Sequence, residues 1–438
     1  MKKNIILSVV CGMVAMASLT SCNDFLQVSA TNQKEMDKSF TTYDELRLAT
    51  AYLYMKPWFG FHSTRLFAMG DARGNNIYGD NNNETGYAPY CLFTDKPNTP
   101  GLADAWNSLY IVVTQADYII NDYAPQGRQH FSEAQANACE GEARFMRAAA
   151  YYYLASYWHD VPIMENPIAH TEAFNMAPTR CGGGVRYDDV IRYGIRDLEY
   201  AAEWLPLADA DGRVTRYSAL GLLARYYVTL AAYARGGHCT QATMDYYEAS
   251  GSHDLADILY DLAKEAAGEV ILAQNRYGLM EEYEEIFRVQ NNNCKEVLFA
   301  LQPLQGVDSY GMGNSNGSGL CSYTELLNGL SAYNSSYVSY DCLRMLINSG
   351  GRSRLRGNVL CPGEFYDYIG THLVDGGWAA GYKGGQKAAG LETNRKVAFK
   401  KQVVGSAEDT NNIAIAGNSG FCTPMLRLAE VYLLYVEA

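Results

Sequence analysis

Two stretches of the chain gather side chains suited to holding a polyhydroxylated ligand. Residues 70–100 offer Asp71, Arg73, Asn75, Asn76, Tyr78, Asp80, Asn81, Asn82, Tyr87 and Tyr90. Residues 302–423 offer Tyr310, Asn314, Asn316, Tyr323, Tyr333, Asn334 and Tyr337, with Trp378 after one Gly-Gly pair and Tyr382 just before another. A pyranose ring has apolar faces that stack on aromatic rings and hydroxyls that take directional bonds from amides, carboxylates and guanidinium groups. Any one of these tyrosines alone reads as an ordinary surface or core residue; the set reads as a binding surface. Signatures of catalysis are absent: there is no H-E-x-x-H, P-loop, G-x-S-x-G or dinucleotide fingerprint. The seven histidines are scattered, with no pair at helical ligand spacing. A carboxylate pair for glycoside hydrolysis stays open, because acids are plentiful and nothing marks one pair.

The N-terminus carries different chemistry. Lys2 and Lys3 precede an uncharged apolar run over residues 5–19, too short and too interrupted to span a bilayer. Leu19-Thr20-Ser21-Cys22 follows and resembles the lipobox of bacterial lipoproteins. That resemblance implies cleavage before Cys22 and acylation of its thiol and new amino group, which anchors a chain stably. Cys11 leaves with the signal, so nine cysteines remain besides Cys22, an odd number without C-x-x-C spacing. Most read as buried free thiols, with one or two disulfides open after export. The net charge of −13 argues against a nucleic-acid partner.

Helical periodicity must position these groups. The spacing predicts helices over 39–54, 104–123, 132–158, 187–204, 219–234, 254–275 and 424–438. Ser132 with Gln135 fits a capping box, Thr215 caps the fifth, and Gly236-Gly237 ends it. Paired helices that alternate Ala with large apolar residues suit a tetratricopeptide-like stack. Arg144 and Arg147 are three apart and can share one partner. Glu142 reads as an ion-pair member, and Arg213 with Thr215 as loop-to-helix capping. A short strand is expected at 296–302, then long loops rich in Gly, Asn and Ser.

Several segments together resemble the SusD/RagB family of outer-membrane nutrient-binding lipoproteins. They are Cys22-Asn23-Asp24-Phe25-Leu26, Phe40-Thr41-Thr42-Tyr43-Asp44-Glu45-Leu46, Gly141-Glu142-Ala143-Arg144-Phe145-Met146-Arg147-Ala148, His159-Asp160-Val161-Pro162, Gly212-Arg213-Val214-Thr215 and Arg427-Leu428-Ala429-Glu430-Val431-Tyr432. The resemblance implies a mainly α, tetratricopeptide-like helical scaffold with a loop-rich ligand-binding face. It implies a non-enzyme that binds an oligosaccharide or polysaccharide at the cell surface, lipid-anchored in the outer membrane. The expected partner is a SusC-like TonB-dependent transporter, and no cofactor is expected. A surface glycosidase, or a peptide-binding or scaffolding lid, are the other readings. Expected boundaries are a signal peptide at 1–21, a tether at 22–38, a helical region at 39–276 and a C-terminal region at 277–438. His159 stands where the family has Gly. In the family the 427–438 segment is followed by more chain, so a truncated end is expected, with Leu426, Leu433 and Val436 short of packing.

Overall fold

The computed structural model describes residues 40–63, 65–79, 87–165, 185–251, 253–306, 312–320, 336–349, 351–361, 363–371, 376–379, 382–383, 386–387, 397–415 and 418–438. Cys22 and the signal region lie outside the described residues, as do Asp80, Asn81, Asn82, Tyr310, Tyr323, Tyr333 and Asn334.

The main helices are α1 (Tyr43–Tyr52), α2 (Leu102–Tyr118), α3 (Glu133–Trp158), α4 (Tyr187–Trp204), α5 (Arg216–Arg235) and α6 (Leu255–Leu272), then α7 (Tyr340–Ser349), α8 (Gly351–Asn358) and α9 (Leu428–Glu437). Caps set their starts. Ser132 and Gln135 form the expected box on α3, and Asp254 caps α6 by accepting from the Ala256 N–H. The first helix starts later than its sequence suggests. Thr42 caps it, because Glu45 lies three residues on and reaches back to the Thr42 N–H.

Sequential neighbours pack in order from α2 to α6, and α9 returns against α5 and α6. This is the stacked helical-hairpin scaffold expected from the pattern. Small residues allow close approach: a Cβ on Gly194 of α4 would lie 2.5 Å from the Tyr226 ring of α5. Buried charge locks the stack. On α3, Arg147 reaches Asp197 of α4 at 2.7 Å and Asp117 of α2 at 2.5 Å, and Arg144 reaches the same Asp197 at 2.9 Å. The shared partner is thus Asp197. Glu142 meets Arg213 at 2.8 Å and accepts from the Tyr54 hydroxyl at 3.0 Å. Arg213 also donates to Thr50 and to the Arg47 carbonyl. Its task is to tie α1 and α3 to the loop before α5, which goes beyond capping.

The strands are short: β1 (Ile77–Gly79), β2 (Val297–Ala300), β3 (Ser336–Val338), β4 (Phe365–Tyr366), β5 (Trp378–Ala379), β6 (Tyr382–Lys383), β7 (Gln386–Lys387), β8 (Ala414–Ile415), β9 (Asn418–Ser419) and β10 (Pro424–Arg427). They form antiparallel pairs, of which β1·β3 and β2·β10 join distant parts of the chain. Two expectations change. Residues 424–427 are a strand, since pairing with β2 captures them before α9 begins. Residues 302–423 hold α7 and α8; the sequence of α8 is too polar to show a helical period, and the short α7 was hidden by the Gly- and Ser-rich stretches around it. Leu426 is buried at 1% exposure by the same β2 pairing, while Leu433 and Val436 are exposed at 70% and 81%. None of the described cysteines forms a disulfide. Among the described residues no helix is long and apolar enough to cross a membrane.

Candidate functional site

A π-helical turn at Ala68–Ala72 leads straight into Arg73. Such turns widen the helix by one residue and often sit at functional sites. After it, Asn75 takes a left-handed conformation at φ 60°, which Asn tolerates, and β1 begins. β1 pairs with β3 so that Tyr78 faces Tyr337 across the ladder, Ile77 faces Val338 and Gly79 faces Ser336. Alternation then decides exposure. Ile77, Gly79, Ser336 and Val338 turn inward, while Tyr78 is 50% exposed and Tyr337 half-buried on the outer face.

The chain continues from β3 into α7, whose first residue Tyr340 is 77% exposed. The Arg344 guanidinium lies 6.0 Å from the Tyr340 ring centre and pairs with Asp341 at 3.3 Å. Loop and helix are stitched together. The Asn75 amide donates to Asp341 at 3.4 Å, the Ser339 N–H donates to the Asn76 carbonyl at 2.9 Å, and the Asn76 amide donates to Asp71 at 3.2 Å. Asn75, Asn76 and Asp71 therefore shape the face. On its other flank Arg73 pairs with Asp95 and lies 4.7 Å from the centre of the Phe93 ring. Phe93 is 67% exposed and sits at φ 55°. A bulky side chain in that region is a true outlier, of the kind found at ligand-binding positions.

The structure thus brings Arg73, Asn75, Asn76, Asp71 and Tyr78 together, with Tyr340, Asp341, Arg344 and Phe93 added. Tyr87 and Tyr90 need correction. Residues Tyr87–Cys91 form one helical turn packed on β1, and both rings turn into the core, at 6% and 3% exposure. Burial pushes both hydroxyl pKa values up. Tyr87 offers no open face for stacking, and Tyr90 only borders a neighbouring cleft. Asn314 and Asn316 are likewise buried: Asn314 donates to the Phe421 carbonyl at 2.8 Å, and Asn316 contacts His62 at 3.1 Å. The backbones of Trp378 and Tyr382 lie in β5 and β6, and their side chains fall outside the description. Phe93 and Tyr340 were not singled out from sequence. A lone Phe after Leu92 and a Tyr opening a helix carry no pattern that marks exposure. Among the described residues no cluster of His, Cys, Asp and Glu could hold a metal ion.

A helical-repeat scaffold that presents rings, amides and ion pairs on a loop face defines a binding protein. A SusD-like family model, described as starch-binding and associating with the outer membrane, matches residues 24–228. A SusD-like protein of Bacteroides ovatus is 31% identical over 420 residues, covering 95% of this chain and 69% of the relative. The chain belongs to the SusD-like family. A solved structure described as containing a xylogluco-oligosaccharide is 29% identical, with TM-score 0.70 over 90% of this chain and 70% of that one. Surface glycan-binding protein A from Bacteroides fluxus shares the fold at 17% identity, with TM-score 0.61 over 90% of this chain and 76% of that one.

Proposed function

We propose that this chain is a cell-surface lipoprotein, anchored in the outer membrane through Cys22, that captures a glycan without cleaving it. The ligand lies across the loop face built from β1, β3 and the start of α7, and passes to a SusC-like TonB-dependent transporter. The observation that carries this reading is the exposure of three rings, Tyr78, Phe93 and Tyr340, near the Arg73–Asp95 and Arg344–Asp341 pairs. Rings stack on the apolar faces of a sugar, and the charged forks take its hydroxyls. The relative described with a xylogluco-oligosaccharide supports a glycan ligand.

Affinity electrophoresis in gels containing xyloglucan, laminarin or starch tests the reading. Retardation by at least one polysaccharide, with no new reducing ends released, is expected. No retardation across the panel would contradict glycan capture, and released reducing ends would favour the glycosidase. Replacing Cys22 by Ser should abolish incorporation of labelled palmitate and release the protein from the membrane fraction. Co-purification of a TonB-dependent barrel with the tagged, lipidated chain tests the transfer step.

A further inference from the structure

Next to the loop face lies a cleft of about 700 Å³, between the π-helical turn, the start of α2 and the end of α3. That size falls within the ~300–1,000 Å³ of small-molecule sites. Trp106 of α2 and Trp158 of α3 form one corner, with ring centres 5.2 Å apart and planes at 81°. Tyr157 adds a third ring, 6.1 Å from Trp158 at 88°. Gly70 lets the Tyr157 hydroxyl approach, since a Cβ there would lie 3.3 Å from it. Tyr90 also lines the cleft, and its hydroxyl is buried without a hydrogen-bond partner among the described residues. A buried hydroxyl left unpaired is unfavourable until a polar group reaches it. Arg73 and Asp95 line the same cleft, and Arg73 also covers Phe93 on the loop face.

Exposed rings on a loop face suit a chain passing over them. Perpendicular rings around a recess suit a ring that ends there, stacked on one wall and edge-on to the next. We propose that this cleft is a second subsite, which takes a terminal or side-branch pyranose of a glycan whose main chain crosses the loop face. Arg73 joins the two subsites. This proposal rests on the glycan-binding reading and narrows its ligand to chains with an accessible end or branch.

Titration calorimetry with a branched xylogluco-oligosaccharide and an unbranched cello-oligosaccharide of equal backbone length tests it, on the wild type and on Trp106→Ala, Ala103→Arg and Tyr340→Ala. Trp106 also packs on Tyr110 at 4.9 Å, so its loss can disturb the fold. Ala103 is exposed and lines the cleft, so Ala103→Arg obstructs it without removing core. Both cleft variants should weaken the branched ligand roughly tenfold or more, as loss of a buried aromatic anchor does, and leave the linear ligand unchanged. Tyr340→Ala should weaken both. Wild-type affinity for the branched ligand in both cleft variants overturns the subsite while leaving glycan capture intact. Equal loss of linear and branched ligands in the cleft variants overturns its assignment to chain ends and branches. Failure of the wild type to bind these ligands or laminari-oligosaccharides overturns the subsite and the glycan reading together.

Discussion

Phe93 combines three unfavourable features: a left-handed backbone, a 67% exposed ring and a neighbour, Leu92, that is 59% exposed. Folding alone gains little from it. Phe93→Gly should relieve strain of about 1 kcal/mol, less whatever the Arg73 contact contributes, and so hold or raise the melting temperature. The same change should weaken glycan binding, and opposite movements of the two readouts would identify a residue kept for its ligand. Lys400 poses a different residue-scale problem. It is fully buried, its Nζ lacks a hydrogen-bond partner among the described residues, and the Tyr368 ring centre lies 4.9 Å away. Burial pulls its pKa down to about 8, against partial support from Glu284. The neutral form is therefore favoured by folding, and the penalty is largest below pH 8, where the amine is charged in both states. Lys400→Met should stabilise the protein by roughly 2–3 kcal/mol near pH 7. Its advantage should shrink as the pH rises from 8 toward 10.5, which denaturant unfolding at several pH values would read.

At the scale of elements, the scaffold depends on charges that no helix satisfies alone. Asp197→Ala would leave Arg147 with one buried partner and should cost about 3–5 kcal/mol, read as a lower urea midpoint. His62 joins the short helix Phe59–His62 to Thr423 at 2.9 Å and to Asn316 at 3.1 Å. Burial lowers its pKa to about 4. Its neutral ring thus contributes stability that is present above pH 6.5 and is lost as the pH falls toward 4. That loss amounts to roughly 3 kcal/mol, and His62→Gln should flatten the acid side of the unfolding profile. Much of the element map was legible because its signals are local. Ser132 with Gln135, Asp254, and Leu205-Pro206 each mark a helix end within a few residues. The strand at Pro424–Arg427 was not legible, since it exists only through pairing with β2. Tyr87 and Tyr90 were misplaced for a related reason: an Asn-rich neighbourhood reads as loop, and only the fold shows that their helical turn faces inward.

Over the whole molecule, the face is a product of long-range closure. The Tyr78↔Tyr337 pair, the Asn75–Asp341 bond and the Ser339–Asn76 bond fasten an early loop to a late helix. The sequence supplied the early half, Asp71 to Tyr78, because its polar and aromatic residues are contiguous. It could not supply Tyr340 or Phe93, whose membership depends on how the loops close. The central claim is that this closed face binds a glycan. Titration calorimetry with the polysaccharide that retards the wild type most strongly tests it, comparing Tyr340→Ala with Tyr52→Ala, a control tyrosine that is 47% exposed on α1. Tyr340→Ala should weaken binding by roughly tenfold or more and Tyr52→Ala should leave it unchanged; equal affinities for the two variants and the wild type would contradict the account.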